Sequence, residues 1–126
     1  MKLVLDTSII IDYLRNGQTG INFFDNIAED VIFFIPTIVI FELFSGKSTI
    51  NPEKLNKILD FMESFQRVEL TETIAQRAGE LYRDISTTLQ VPDYIIAAST
   101  LEIGGEVVTL NKKHFMEIPN LKLYLV

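Results

Sequence analysis

The chain contains no cysteine, which excludes a disulfide framework and any thiolate metal site and suits a reducing, cytoplasmic compartment. It also lacks a membrane-length apolar run. The longest such stretch, Val31 to Phe44, is 14 residues long and is interrupted by Pro36, Thr37 and Glu42. A span needs about 20 predominantly apolar residues, so no membrane partner is expected. No secretory signal is visible, because Lys2 is followed by a short apolar run and then Asp6. Positive charge is scarce as well: 11 Lys and Arg stand against 17 Asp and Glu, a net −6. General attraction to a phosphate backbone is therefore not expected, and a nucleic-acid substrate would need a local basic patch or a bound cation. There is no internal repeat and no low-complexity tract. What remains is 126 residues, 48% apolar and 22% charged, which opposes disorder and fits one domain over residues 1–126 with a sizeable core.

Short β-branched runs alternate with longer helical patterns. Lys2-Leu3-Val4-Leu5 reads as a buried strand, and Asp6 or Thr7 can cap a helix over Ile9 to Leu14. Asn16 to Gly20 reads as a loop before helical spacing at Ile21, Phe24 and Ile27. Val31 to Ile35 predicts a second strand stopped by Pro36, and Thr37 opens a helix through Phe44 closed by Ser45-Gly46. Pro52 suits the first turn of a helix over Glu53 to Phe65. A short strand at Arg67–Leu70, a helix from Thr71 and another from Pro92-Asp93 to Gly104-Gly105 follow. Val107–Thr109 predicts a fourth strand, Asn111 to Phe115 a helical turn, and Leu121 to Leu125 a fifth strand. Strands separated by helices imply parallel pairing, hence a three-layer α/β/α sandwich around a parallel sheet of about five strands. Sites in such sheets lie beyond the carboxyl ends of the strands.

Asp6 follows the first strand, Asp93 opens a helix, and Thr109 and Asn111 follow the fourth strand, all at that edge. Glu42 sits in a helix that is apolar nearly all round, where a carboxylate must be paired, neutralised or bound to metal. Blander roles exist: Asp6 and Asp93 can serve as helix caps, and Glu42 can pair with Arg or Lys. Three acids converging on one edge, however, repel one another unless a cation intervenes or one keeps its proton. Oxygen ligands favour Mg²⁺ or Mn²⁺, which points toward phosphodiester hydrolysis.

At these residues the chain resembles the PIN-domain ribonucleases, and among them the VapC-like toxins of type II toxin–antitoxin modules. The matching segments are Leu3-Val4-Leu5-Asp6-Thr7-Ser8, Phe41-Glu42-Leu43 with Gly46, Pro92-Asp93-Tyr94-Ile95-Ile96-Ala97-Ala98, and Val108-Thr109-Leu110-Asn111-Lys112-Lys113-His114-Phe115. The resemblance implies Mg²⁺- or Mn²⁺-dependent cleavage of RNA, a homodimer and a cognate antitoxin that occupies the cleft. By position, Asp6, Glu42 and Asp93 become the catalytic and metal-binding acids, with Ser8 and Thr109 as hydroxyl neighbours. Many relatives carry a fourth acid near Asn111 and His114. Neither is acidic here, so one ion should bind more securely than a second, and His114 can assist or merely pack beside Phe115. Lys112 and Lys113 are the preferred candidates for RNA phosphate contacts, ahead of Arg15 and Lys47.

The sequence thus predicts a metal-dependent endoribonuclease toxin. The alternative is a PIN-like protein-binding module without catalysis. A phosphatase or receiver domain ranks lower, because Leu5-Asp6-Thr7-Ser8 supplies only one acid after the first strand. Phe residues on more than one side of the Ile21–Ala28 and Leu55–Phe65 helices suggest apolar surface for a homodimer.

Overall fold

The computed structural model describes residues 1–85 and 89–126. Its centre is a five-stranded, wholly parallel sheet in the order β3-β2-β1-β4-β5. The strands are β1 (Lys2–Leu5), β2 (Ile32–Pro36), β3 (Gln66–Val68), β4 (Glu106–Val108) and β5 (Lys122–Leu123). The helices are α1 (Thr7–Leu14), α2 (Gln18–Asn26), α3 (Thr37–Ser45), α4 (Pro52–Met62), α5 (Glu72–Asp84), α6 (Val91–Ile103) and α7 (Lys112–Phe115). A parallel strand needs a crossover to return the chain, and helices supply every one, giving the expected α/β/α layering.

β1 is central because, after the exposed Lys2, none of its residues tolerates water. Leu3, Val4 and Leu5 are fully buried, and β2 and β4 flank it in register through Val4↔Phe34 and Val4↔Val107. Helix α6 brings Ala97, Ala98, Ser99 and Thr100 into the interior. The small side chains allow a close approach, and the two hydroxyls donate back to the Ile95 and Ile96 carbonyls at 2.7 and 2.8 Å, so no polar group is orphaned. Gly104 ends α6 in the left-handed region at φ 68°, where a side chain would be strained.

The chain winds outward from β1 to β3 and then jumps back to β4 on the other side of β1. That reversal makes the β1/β4 boundary the topological switch point, where a crevice opens at the carboxyl edge. The Asp6 backbone N–H donates to the Val108 carbonyl at 3.0 Å, continuing the ladder to the mouth of that crevice.

Several local expectations need correction. Residues from Gln18 are helical, not loop, because Gly17 and Gly20 serve packing. The Gly20 N–H donates to the Asp12 carboxylate at 2.7 Å, and a Cβ on Gly20 would sit 2.6 Å from the Tyr13 nitrogen. Pro36 does not stop β2 but ends it in register with Val68. A 3₁₀ turn over Lys47–Ile50 was not anticipated, and the fifth strand is only two residues long.

The Phe residues of α2 and α4 are also not surplus. Phe23, Phe24, Phe33, Phe61 and Phe65 join Tyr13 in one aromatic cluster with ring centroids 4.7–6.0 Å apart. Exposed apolar surface includes α3 and the turn after it, at Phe41 (64% exposed), Phe44 (40%) and Ile50 (79%). Helix α3 is therefore apolar nearly all round without being buried all round. No helix among the described residues is long and apolar enough to cross a membrane.

Candidate active site

Asp6 occupies the N-cap position of α1, yet its side chain makes no capping bond. Two hydroxyls claim it instead. Ser8 Oγ donates to Asp6 Oδ2 at 2.7 Å and Thr109 Oγ1 donates to the same oxygen at 2.6 Å. Each hydroxyl in turn accepts a backbone N–H from the segment after β4, Leu110 to Ser8 Oγ and Asn111 to Thr109 Oγ1, both at 3.0 Å. The direction of the protons is thereby fixed: loop amides feed hydroxyls, and hydroxyls feed one carboxylate oxygen. Asp6 is only 3% exposed and Thr109 1%. Oδ1 takes no hydrogen bond from a described residue, yet no side-chain oxygen there is both sealed from solvent and unpaired, so Oδ1 keeps an open edge.

Glu42 and Asp93 are held more lightly. Glu42 is half-buried on α3, and Oε1 accepts from Thr7 Oγ1 at 2.7 Å. Burial holds its pKa above the ordinary carboxylate range, and the charges of Asp6 and Asp93 add to that against the opposing Thr7 hydroxyl. Asp93 closes a capping box with Gln90, its Oδ2 accepting the Gln90 N–H at 3.0 Å. The cap role is thus real. Burial raises the Asp93 pKa also, the Gln90 N–H opposes it, and then Asp6 raises while His114 lowers.

These mutual influences identify Asp6, Glu42 and Asp93 as one electrostatic group. No cation neutralises it: among the described residues the ion pairs are Arg77–Glu102 and Arg83–Asp84, both elsewhere. The three carboxylates nevertheless do not close on one point. Among the described residues no three His, Asp or Glu side chains are gathered tightly enough to hold a metal ion as they stand. The donor set suits a hard divalent cation in kind, being all oxygen and open at Asp6 Oδ1, and Glu42 and Asp93 each have one carboxylate oxygen engaged, by Thr7 and Gln90.

Two hollows flank the group. One, of about 490 Å³, is lined by Asn111, Lys112, Lys113 and His114 with Thr19, Leu110 and Val126. His114 connects it to Asp93 electrostatically. The Lys112 ammonium donates to the Val126 backbone oxygen, and the Asn111 side chain has no hydrogen bond among the described residues. The second, of about 220 Å³, is lined in part by Glu42 itself, with Arg15, Lys54 and Lys57.

The sequence singled out Asp6, Glu42, Asp93, Ser8 and Thr109, and the fold brings all five to the switch point. Thr7 as the Glu42 partner and Gln90 as the Asp93 partner went unassigned. Gln90 carried a signal, since it stands three residues before Asp93 as an N-cap does. Thr7 carried none beyond its adjacency to Asp6. Lys47 is exposed in the turn after α3 and does not line the Glu42 hollow.

The PIN-domain family model matches residues 3–121. Ribonuclease VapC19 of Mycobacterium tuberculosis is 30% identical over 132 residues, covering 97% of this chain and 98% of its own. Ribonuclease VapC1 of Rickettsia felis is 31% identical over 135 residues, covering 100% of this chain and 97% of its own. The fold resembles a DNA-bound VapBC from Salmonella typhimurium with a TM-score of 0.85 at 24% identity, over 98% of this chain and 97% of that one.

Proposed function

Because the chain belongs to the PIN-domain family, and within it to the VapC ribonucleases, we propose that it is a metal-dependent endoribonuclease, the toxin of a toxin–antitoxin pair. One observation carries the assignment: three mutually repelling carboxylates stand at the switch point, and among the described residues no Lys or Arg pairs with them, His114 alone easing the charge of Asp93. Asp6, Glu42 and Asp93 are the residues that would hold Mg²⁺ or Mn²⁺. When bound, such an ion supplies Lewis acidity toward water and the scissile phosphate.

The chain's own groups do the positioning. Ser8 and Thr109 hold Asp6 Oδ2, which leaves Oδ1 to face a ligand in a fixed direction. Burial raises the pKa of Glu42 and Asp93, and a cation bound beside them would favour their charged forms. Asn111, Lys113 and His114 line the polar hollow beside Asp93, where they can meet the RNA backbone. Lys112 is tied to Val126, so Lys113 is the better placed of the two. The proposal includes a cognate antitoxin and a homodimer, both of which need apolar surface left uncovered on the single chain. Phe41, Phe44 and Ile50 supply such surface.

Incubation of the purified protein with end-labelled RNA and Mg²⁺ or Mn²⁺ tests the assignment. Internal cleavage that stops with EDTA and in Asp6→Asn is expected, and full cleavage by Asp6→Asn would refute it. The separation of the carboxylates favours one other reading, a PIN-like binding module without catalysis. That module would leave RNA intact and show no carboxylate-dependent Mn²⁺ binding.

A further inference from the structure

The hollow beside Glu42 has an unusual charge for this molecule. The whole chain carries −6, yet three of its 11 basic residues line this one depression. Arg15 is the C-cap of α1, and Lys54 and Lys57 lie three residues apart on α4, hence on one helix face. All three are exposed, and none forms an ion pair among the described residues. Beneath them the lining is aliphatic, with Leu14, Leu43 and Ile58.

Lysines placed beside an acidic centre without pairing to it are arranged for another anion. A floor of aliphatic carbon under a cationic rim matches a nucleotide: the base lies against carbon while flanking phosphates meet the cations. A duplex keeps its bases stacked and cannot offer one to a side hollow, whereas a single strand can.

Resting on the ribonuclease reading, we propose that this hollow is the subsite for a nucleotide of single-stranded RNA adjacent to the cleaved bond. Leu14, Leu43 and Ile58 receive its base, and Arg15, Lys54 and Lys57 hold the flanking phosphates. The RNA then crosses the three carboxylates, from this hollow toward the one lined by Lys113.

The test is binding of a short, fluorescein-labelled, mixed-sequence single-stranded RNA in EDTA, followed by anisotropy across a salt series. Lys54→Gln/Lys57→Gln should bind several-fold more weakly. Its plot of log affinity against log salt should be shallower by about 0.7 for each phosphate that the variant no longer neutralises. Arg15→Gln should act in the same direction, Lys122→Gln on the far edge strand should not, and the RNA as a duplex should bind more weakly than the single strand. An unchanged slope in the Lys54/Lys57 variant, or an equal change in Lys122→Gln, would overturn the proposal and leave the hollow to a polypeptide. Equal binding of duplex and single strand would overturn it too. Cleavage is scored separately with the parent protein and Mg²⁺ or Mn²⁺: RNA held through Lys54 and Lys57 but never cut by it would refute the ribonuclease reading and keep the hollow as a site for single-stranded RNA.

Discussion

Asp6, against Glu42 and Asp93, shows carboxylates of one site under opposite regimes. Asp6 is almost fully buried, and its Oδ2 is fixed by two hydroxyls that are themselves fixed by backbone amides of the segment after β4. Glu42 and Asp93 are half-buried, each is restrained by one hydrogen bond from a described residue, and burial raises the pKa of each. The comparison teaches that the fold presets one ligand and leaves two poised. Such an arrangement can accept an ion without being locked in the ion's geometry beforehand.

The largest break in this comparison should come from Asp6→Asn. The amide can still accept from Ser8 and Thr109, so the fold should survive while RNA cleavage falls by about 100-fold or more, as expected when a metal-binding charge is lost. Next in size is Thr109→Val, which removes one donor to Asp6 and the acceptor of the Asn111 N–H. Urea unfolding should register a loss of about 1–3 kcal/mol. Thr7→Val, at the lightly held Glu42, should cost no more than about 1 kcal/mol by the same measurement. Equal losses at Thr7 and Thr109 would erase the distinction between the two regions.

The smallest effect is a gain. Glu42 and Asp93 hold protons to higher pH in the fold than in the unfolded chain, so their contribution to stability is intact below the ordinary carboxylate range and declines as pH rises through the raised values. In EDTA, Glu42→Gln and Asp93→Asn should therefore melt slightly above the parent protein at neutral pH. The difference should vanish below pH ~3, under the ordinary carboxylate range. Scanning calorimetry at the two pH values checks the sign.

Local chemistry made much of this fold legible. The apolar Leu3-Val4-Leu5 run, Pro36-Thr37, Pro52, Pro92 and Gly104 each mark an element boundary by steric rules that act within a few residues. The convergence of distant acids on one sheet edge was legible from topology, but the individual contacts between distant residues were not. Ser8 and Leu110 lie 102 positions apart, and nothing near either predicts their hydrogen bond. Gly17 and Gly20 read as loop because their purpose, close approach of α2 to Asp12 and Tyr13, exists only in three dimensions. The Phe residues of α2 and α4 likewise read as surplus, because Phe33 and Tyr13, which complete their cluster, come from other elements. In the site, the carboxylates announced themselves by being acids among apolar neighbours. Lys54 and Lys57 did not, since lysines on an amphipathic helix are ordinarily just solvated.

Titration with Mn²⁺, read by the electron paramagnetic resonance of the free ion, tests the shared carboxylate site most directly. Parent protein should take up the ion with an affinity that climbs as pH rises above the ordinary carboxylate range, because the ion favours the charged forms of Glu42 and Asp93, whose pKa burial raises. Asp6→Asn, Glu42→Gln and Asp93→Asn should each weaken that uptake, Asp6→Asn the most. Uptake of the same strength in all four proteins would contradict a metal centre built from these residues.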